Sequence, residues 1–175
     1  MVSTKHALVA MVNDKPGVLN RIASLFRRRG FNIESIAVGH SEMTGVSRVT
    51  IIVDGTTPQV EQVRKQLEKE IDVIKVLDVT GNNTITRELA LIKVKTADNR
   101  SEVMQIVDIF RANIVDVSSD SVTIEVTGDN NKVESLYRLL KGFGIKEIAR
   151  TGAIAMTRGN AGSSGAEDRE SGSPG

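Results

Sequence analysis

The chain has no cysteine and no tryptophan, only 3 prolines, and aromatic residues fill 3% of its 175 positions. The missing cysteines exclude disulfides, a thiolate nucleophile and cysteine-bound metals, and they fit a reducing compartment. No apolar run approaches the ~20 residues that a membrane helix needs. Met1 to His6 lacks the apolar stretch of a signal peptide. The expectation is a cytoplasmic protein with no membrane partner. Aromatic scarcity argues against an RNA-reading sheet, because Lys5–Val12 and Val46–Val53 contain no Phe, Tyr or Trp for a base to stack on. The formal net charge of +1 gives no bulk attraction to polyanions, so no nucleic-acid partner is expected. Arg27-Arg28-Arg29 is the basic run, and a solvated helix end accounts for it. Phosphate-binding loops, dinucleotide fingerprints and nucleophile elbows are all missing. His6 and His40 have no metal-ligand spacing, and Glu61, Glu68 and Glu70 read as a solvated helix face. No catalytic or metal-ligating set emerges, which argues for a binding module.

What is present is a clear order of elements. Lys5–Val12 is an apolar, β-branched run and reads as a strand. Val18, Leu19, Ile22, Ala23, Leu25 and Phe26 repeat with helical spacing, which predicts a helix over Val18–Arg29 closed by Gly30. Ile33–His40 and Val46–Val53 are strands joined by a hairpin loop at Ser41–Gly45. In the second of these, Val49, Ile51 and Val53 alternate with Arg48, Thr50 and Ile52. Asp54–Pro58 turns into a helix with Val60, Val63 and Leu67 on one face. Ile71–Thr80 is a fourth strand. Strand, helix, strand, strand, helix, strand is a split βαβ arrangement, an α+β ferredoxin-like sandwich.

The pattern then repeats. Val49–Leu67 aligns without gaps on Val122–Leu140, and Val49, Thr50, Ile51, Val53, Gly55, Val60, Glu61 and Leu67 each meet their own residue type. Ile22, Phe26 and Arg27 meet Ile106, Phe110 and Arg111. Two copies of one unit follow from this. The expected domains are 1–80 and 85–157, joined by a linker at 81–84. The stretch 158–175 is polar, without apolar period, and is expected to be a disordered tail.

The copies differ at one loop. The first carries Asn13-Asp14-Lys15-Pro16-Gly17-Val18, and the second carries Thr96-Ala97-Asp98-Asn99-Arg100-Ser101-Glu102 with no Pro-Gly turn. In the first, Pro16 suits the opening helical position, Asn13 and Asp14 suit the cap, and Gly17 lets a ligand approach the backbone. In the second, Ser101 or Asp98 is the expected cap. A helix start offers unpaired N–H groups to a carboxylate. Asp14, helped by the Asn32 side-chain oxygen, is a partner for an ammonium group. A free α-amino acid carries both groups. The plainer alternative is that Asp14, Pro16 and Gly17 only shape a turn.

The residues Leu8-Val9-Ala10-Met11-Val12-Asn13-Asp14-Lys15-Pro16-Gly17-Val18-Leu19, with the Leu25–Ile36 and Ser47–Val53 stretches, resemble an ACT domain, the small amino-acid-sensing module. Arg87–Val94, Ile109–Val117 and Glu147–Gly152 narrow the resemblance to the regulatory small subunits of acetolactate synthase (acetohydroxyacid synthase). It covers about Lys5 to Arg158. The resemblance implies a non-catalytic subunit of a transferase of branched-chain amino acid biosynthesis. It implies a large catalytic subunit as partner, holding thiamine diphosphate, Mg²⁺ and FAD, none of them in this chain. It implies activation of that subunit and feedback inhibition by valine, or by leucine or isoleucine. It implies a homodimer formed through the ACT domains with the effector at the interface. Effector contacts are implied at Asp14, Gly17, Val18, Leu19, Asn32 and Ile33, with Asp14 standing where the family often has asparagine. Two other readings stay open: a free-standing ACT sensor acting on another partner, and an assembly subunit that activates without sensing.

Overall fold

The structure, a computed structural model, describes residues 4–81 and 83–159. Most of the expected tail, 160–175, lies outside the described residues, as does Asn82 of the expected linker. The first half runs β1 (Thr4–Asn13), α1 (Val18–Arg28), β2 (Ile33–His40), β3 (Val46–Gly55), α2 (Thr57–Leu67) and β4 (Val73–Asp78). The second runs β5 (Thr84–Lys95), α3 (Arg100–Ile109), β6 (Asn113–Val117), β7 (Ser121–Gly128), α4 (Asn130–Lys141), β8 (Ile145–Arg150) and β9 (Ile154–Thr157). The sheets are antiparallel with matching orders, β2-β3-β1-β4 and β6-β7-β5-β8. Two ferredoxin-like α+β units in tandem are therefore the architecture, as the element order predicts.

The period of each element decides which side it buries. On β3, Val49, Ile51 and Val53 are fully buried and face the helices. Val18, Ile22, Leu25 and Phe26 of α1 lie on the same core. Each such side chain contributes about 1.5–3 kcal/mol by leaving water. Helix α1 ends at Gly30, whose φ is +71°, with the Gly30 N–H on the Arg27 carbonyl at 3.1 Å and the Phe31 N–H on the Phe26 carbonyl at 3.0 Å. Phe26 and Phe31 close this cap edge to face, 6.3 Å between centroids. On α2, the Gln59 side chain accepts the Thr56 N–H at 3.0 Å, and Arg64 bridges Glu61 (2.8 Å) and Glu68 (2.5 Å). The Arg64 guanidinium holds the Glu61 carboxyl below its usual range.

The second unit ends its first helix differently. Arg111 takes the place of Gly30 with φ +52°, and its N–H and that of Ala112 make the same pair of bonds, to Asp108 and Val107, each at 3.0 Å. A left-handed backbone costs a side-chain-bearing residue about 1–2 kcal/mol, part of which glycine repays through its freer unfolded state. Arg111→Gly is expected to stabilise the chain by about 1 kcal/mol, raising the thermal midpoint by roughly 2–4 °C. Differential scanning calorimetry checks it, and an unchanged or lowered midpoint refutes it.

Some boundaries move for physical reasons. Strand β4 is shorter than Ile71–Thr80. Ile71 is 86% exposed in the preceding turn. At the far end the Asp78 side chain accepts the Thr80 N–H at 2.9 Å, a local turn that ends the ladder. Thr84 belongs to β5 rather than to a linker, because it pairs with Thr157. The Arg158 N–H donates to the Asn83 carbonyl at 2.8 Å, so the ordered framework reaches past the expected start of the tail. Helix α3 is capped by neither Ser101 nor Asp98. Asn99 precedes it without a side-chain cap bond, and the Arg100 guanidinium instead donates to the carbonyls of Ser118 (2.6 Å) and Ser119 (3.2 Å).

The periodicity gives no sign of β9. It pairs with Thr84–Arg87 of β5, and this ribbon lies on the face of the first sheet that the helices leave bare. Ala7, Val9, Val79 and Ala155 are buried there, with Ile52 and Leu77 at the margin. Arg48 donates to the Ala155 carbonyl at 2.7 Å, and the Ala153 N–H donates to Ser35 Oγ at 2.9 Å. Strand β5 thus runs from the surface of the first unit into the sheet of the second.

Candidate functional site

The loop between β1 and α1 is held from two sides. On one side the Asp14 N–H donates to the Gly45 carbonyl of the β2–β3 hairpin at 2.9 Å. On the other the Asn13 N–H donates to the Asp72 carbonyl at 2.8 Å. The chain then turns at Gly17, which has φ +87°, and α1 begins at Val18. A β-carbon built at Gly17 would meet nothing within 4 Å, so the backbone there is open to an approaching group. Among the described residues the N–H groups of Gly17, Leu19 and Asn20 find no protein acceptor. They form the positive end of an 11-residue helix with no acidic residue in its first turn. This geometry suits a carboxylate.

Capping works otherwise than the spacing predicts. Pro16 lies outside the helix, ahead of Gly17, and neither Asn13 nor Asp14 caps. The Asn13 amide is turned to Asp72, at 3.4 Å. The Asp14 carboxylate is half exposed and lies 3.6 Å from His40 Nδ1. With Gly17 left-handed at the cap position and no side-chain cap bond, the helix amides stay free.

The other expected site residues divide. Asn32 is exposed, between half-buried Phe31 and half-buried Ile33, and Ile33 packs against the first core. Val18 is 3% exposed, so its side chain is a core residue and only its backbone remains at the loop. Leu19, 44% exposed, is the apolar side chain that the helix start presents to solvent. Ile36 (39%) and Val38 (47%) also stand half exposed on β2, an edge strand. Sequence reasoning left out these two, although their alternation along a strand was visible. It also left out Asp72, which had no local signal beyond a charge inside an apolar run. Asp72 is buried and receives Arg21 and Lys15 as ion pairs, the latter at 3.6 Å.

A cleft of about 830 Å³ lies between the units. Within it Lys5 pairs with Glu34 at 2.9 Å, and Arg150 with buried Glu88 and, at 3.7 Å, with Glu134. No helix among the described residues is long and apolar enough to cross a membrane.

A ferredoxin-like unit with an open helix start beside a free edge strand defines a domain of the ACT class. Comparison with known proteins agrees. Residues 8–75 match the acetohydroxyacid synthase small subunit-like ACT domain, and residues 87–159 match the small subunit of acetolactate synthase. The chain is 53% identical over 158 residues to the acetolactate synthase small subunit of Bacillus subtilis, covering 89% of this chain and 91% of that one. It is 51% identical over 155 residues to the Mycobacterium bovis acetolactate synthase small subunit, covering 88% and 92%. The crystal structure of the acetolactate synthase small subunit from Thermotoga maritima matches with a TM-score of 0.84 at 45% identity, over 90% of this chain and 99% of that one. The chain belongs to the acetolactate synthase small-subunit family. The resemblance drawn from its residues is thereby shown.

Proposed function

We propose that the chain is the regulatory subunit of acetolactate synthase and has no catalytic site of its own. It binds the large catalytic subunit, which holds the thiamine diphosphate, Mg²⁺ and FAD. It raises that subunit's activity and makes it sensitive to valine, or to leucine or isoleucine. It works in the cytoplasm as a dimer joined through its ACT domains. The observation that carries this reading is the open helix start at Gly17 within a chain matched to the family in both halves.

The chemistry follows from the loop. The effector carboxylate lies on the amides of Gly17, Leu19 and Asn20. Its ammonium meets Asp14, with Asn32 as a second acceptor. Its side chain is buried against Leu19 and, once two edge strands pair, against the apolar rim that Ile36 and Val38 present. Pairing also covers an edge that would otherwise stay open to other strands. Valine, leucine and isoleucine differ by a methylene group or its position, a difference of about 1–3 kcal/mol in such a pocket. Inhibition then arises because the effector favours one dimer arrangement, by the ~1–3 kcal/mol typical of such coupling.

Titration calorimetry of the full chain with valine, leucine and isoleucine tests this. Saturable binding is expected for at least one. Asp14→Ala should weaken it about 10- to 100-fold, the loss of one charge-assisted hydrogen bond. No binding of any of the three, alone or with the large subunit present, would end the reading.

A further inference from the structure

We propose that Asp72 is the positioning residue of the effector loop: it sets effector affinity without touching the effector. The inference rests on the amino-acid site proposed above and adds to it how that site is held in shape. Asp72 lies in the turn between α2 and β4, more than fifty residues from the loop in sequence, and is 7% exposed. It reaches the loop at four points. Its carbonyl accepts the Asn13 N–H at 2.8 Å. Its Oδ1 accepts from Asn13 Nδ2 at 3.4 Å and faces Lys15 Nζ at 3.6 Å. Its Oδ2 accepts from Arg21, on the first turn and a half of α1. The last residue of β1, the loop and the helix start are thus tied to one buried carboxylate.

The arrangement has a chemical consequence. A buried carboxylate is stable only when its oxygens are fully engaged, so Asp72 fixes where Asn13, Lys15 and Arg21 stand. Arg21 and Lys15 are the cations nearest the helix start in sequence, and both pair with Asp72. The carboxylate of an effector is then left to the backbone amides, whose direction is set by the turn at Gly17. Rigid placement of those amides is what makes them a site, because a loop that must order on binding loses affinity by the cost of ordering.

The test uses the full chain with Asp72→Asn, Arg21→Gln and the double variant, with three readouts. These are valine affinity by calorimetry, valine inhibition and maximal activation with the large subunit, and hydrogen exchange of residues 13–20. Asp72→Asn keeps the side-chain shape and the backbone bond to Asn13. Its expected result is valine binding about tenfold weaker, faster exchange confined to the loop, and activation and thermal midpoint close to the parent. The double variant should be no weaker than the stronger-affected single variant, because both break the same link. Unchanged affinity with unchanged loop exchange overturns the inference. So does a fall in activation together with the midpoint, which would make Asp72 a fold residue only, and so does simple addition in the double variant. If the parent chain binds no branched-chain amino acid while Asp72→Asn still loosens the loop, the effector site fails and the holding role of Asp72 stands. If the parent binds and Asp72→Asn matches it in every readout, the reverse holds.

Discussion

Gly17→Asp is expected to abolish feedback inhibition while leaving activation of the large subunit intact. The backbone at Gly17 has φ +87°, which aspartate adopts at modest strain, about 1 kcal/mol. A β-carbon there meets nothing within 4 Å, so the new side chain has room and the domain keeps its fold. The new carboxylate then brings a negative charge to the free amides at the positive end of the helix. It also stands where the carboxylate of the proposed effector would lie. Two like charges about 4 Å apart repel by about 1 kcal/mol in water and about 4 kcal/mol near a protein surface. Displacement and repulsion together lower affinity by a hundredfold or more. Gly17→Ala separates the causes, because it adds the strain and not the charge, and should lose less than tenfold. Inhibition curves and maximal activation with the large subunit, measured side by side, check the pair. Loss of both properties in Gly17→Asp would mean that the loop serves the subunit contact instead.

Gly152→Val is expected to cost about 2–4 kcal/mol and to free one unit from the other. Gly152 has φ +82°, a conformation that a β-branched residue essentially avoids. A β-carbon there would lie 2.9 Å from Ser35 Oγ and 3.2 Å from the Ile36 carbonyl oxygen. The second of these is backbone within a sheet and has little room to give. Relief requires residues 151–153 to lift from β2, which breaks the Ala153 N–H bond to Ser35 and loosens Ala155 from its buried seat. Left-handed strain of about 1–2 kcal/mol and one hydrogen bond of about 1 kcal/mol account for most of the loss. Thermal unfolding should change from one cooperative step to two. Hydrogen exchange should quicken on the Ala7–Val9 segment, which the ribbon covers. A single unchanged transition would show that the ribbon does not hold the units together.

Much of this was written locally. The repeat of Val49, Ile51 and Val53 against Arg48, Thr50 and Ile52 marks a strand and its core face, because a strand exposes alternate residues to opposite sides. The apolar stripe from Val18 to Phe26 marks a helix for the corresponding reason. Gly30 marks where that helix stops, and the duplicate in the second half marks a second unit of the same plan. The Pro16-Gly17 turn, present in one copy and absent from the other, pointed to the loop whose amides are open.

What the residues did not disclose depends on meetings across the chain. Nothing near Asp72 announces that it will hold Asn13, Lys15 and Arg21. Ile154–Thr157 looks like any short apolar run until it pairs with the front of β5 and covers a bare sheet face. Val18 shares its helix start with Leu19, yet one is core and the other exposed, and that difference follows from how α1 is rolled on the sheet. Composition, period and turn chemistry act over a few residues, so they fix the elements and the faces those elements bury. Which distant atoms come within 3 Å of one another is set when the faces are packed, and the shape of the loop between β1 and α1 belongs to that second kind of fact.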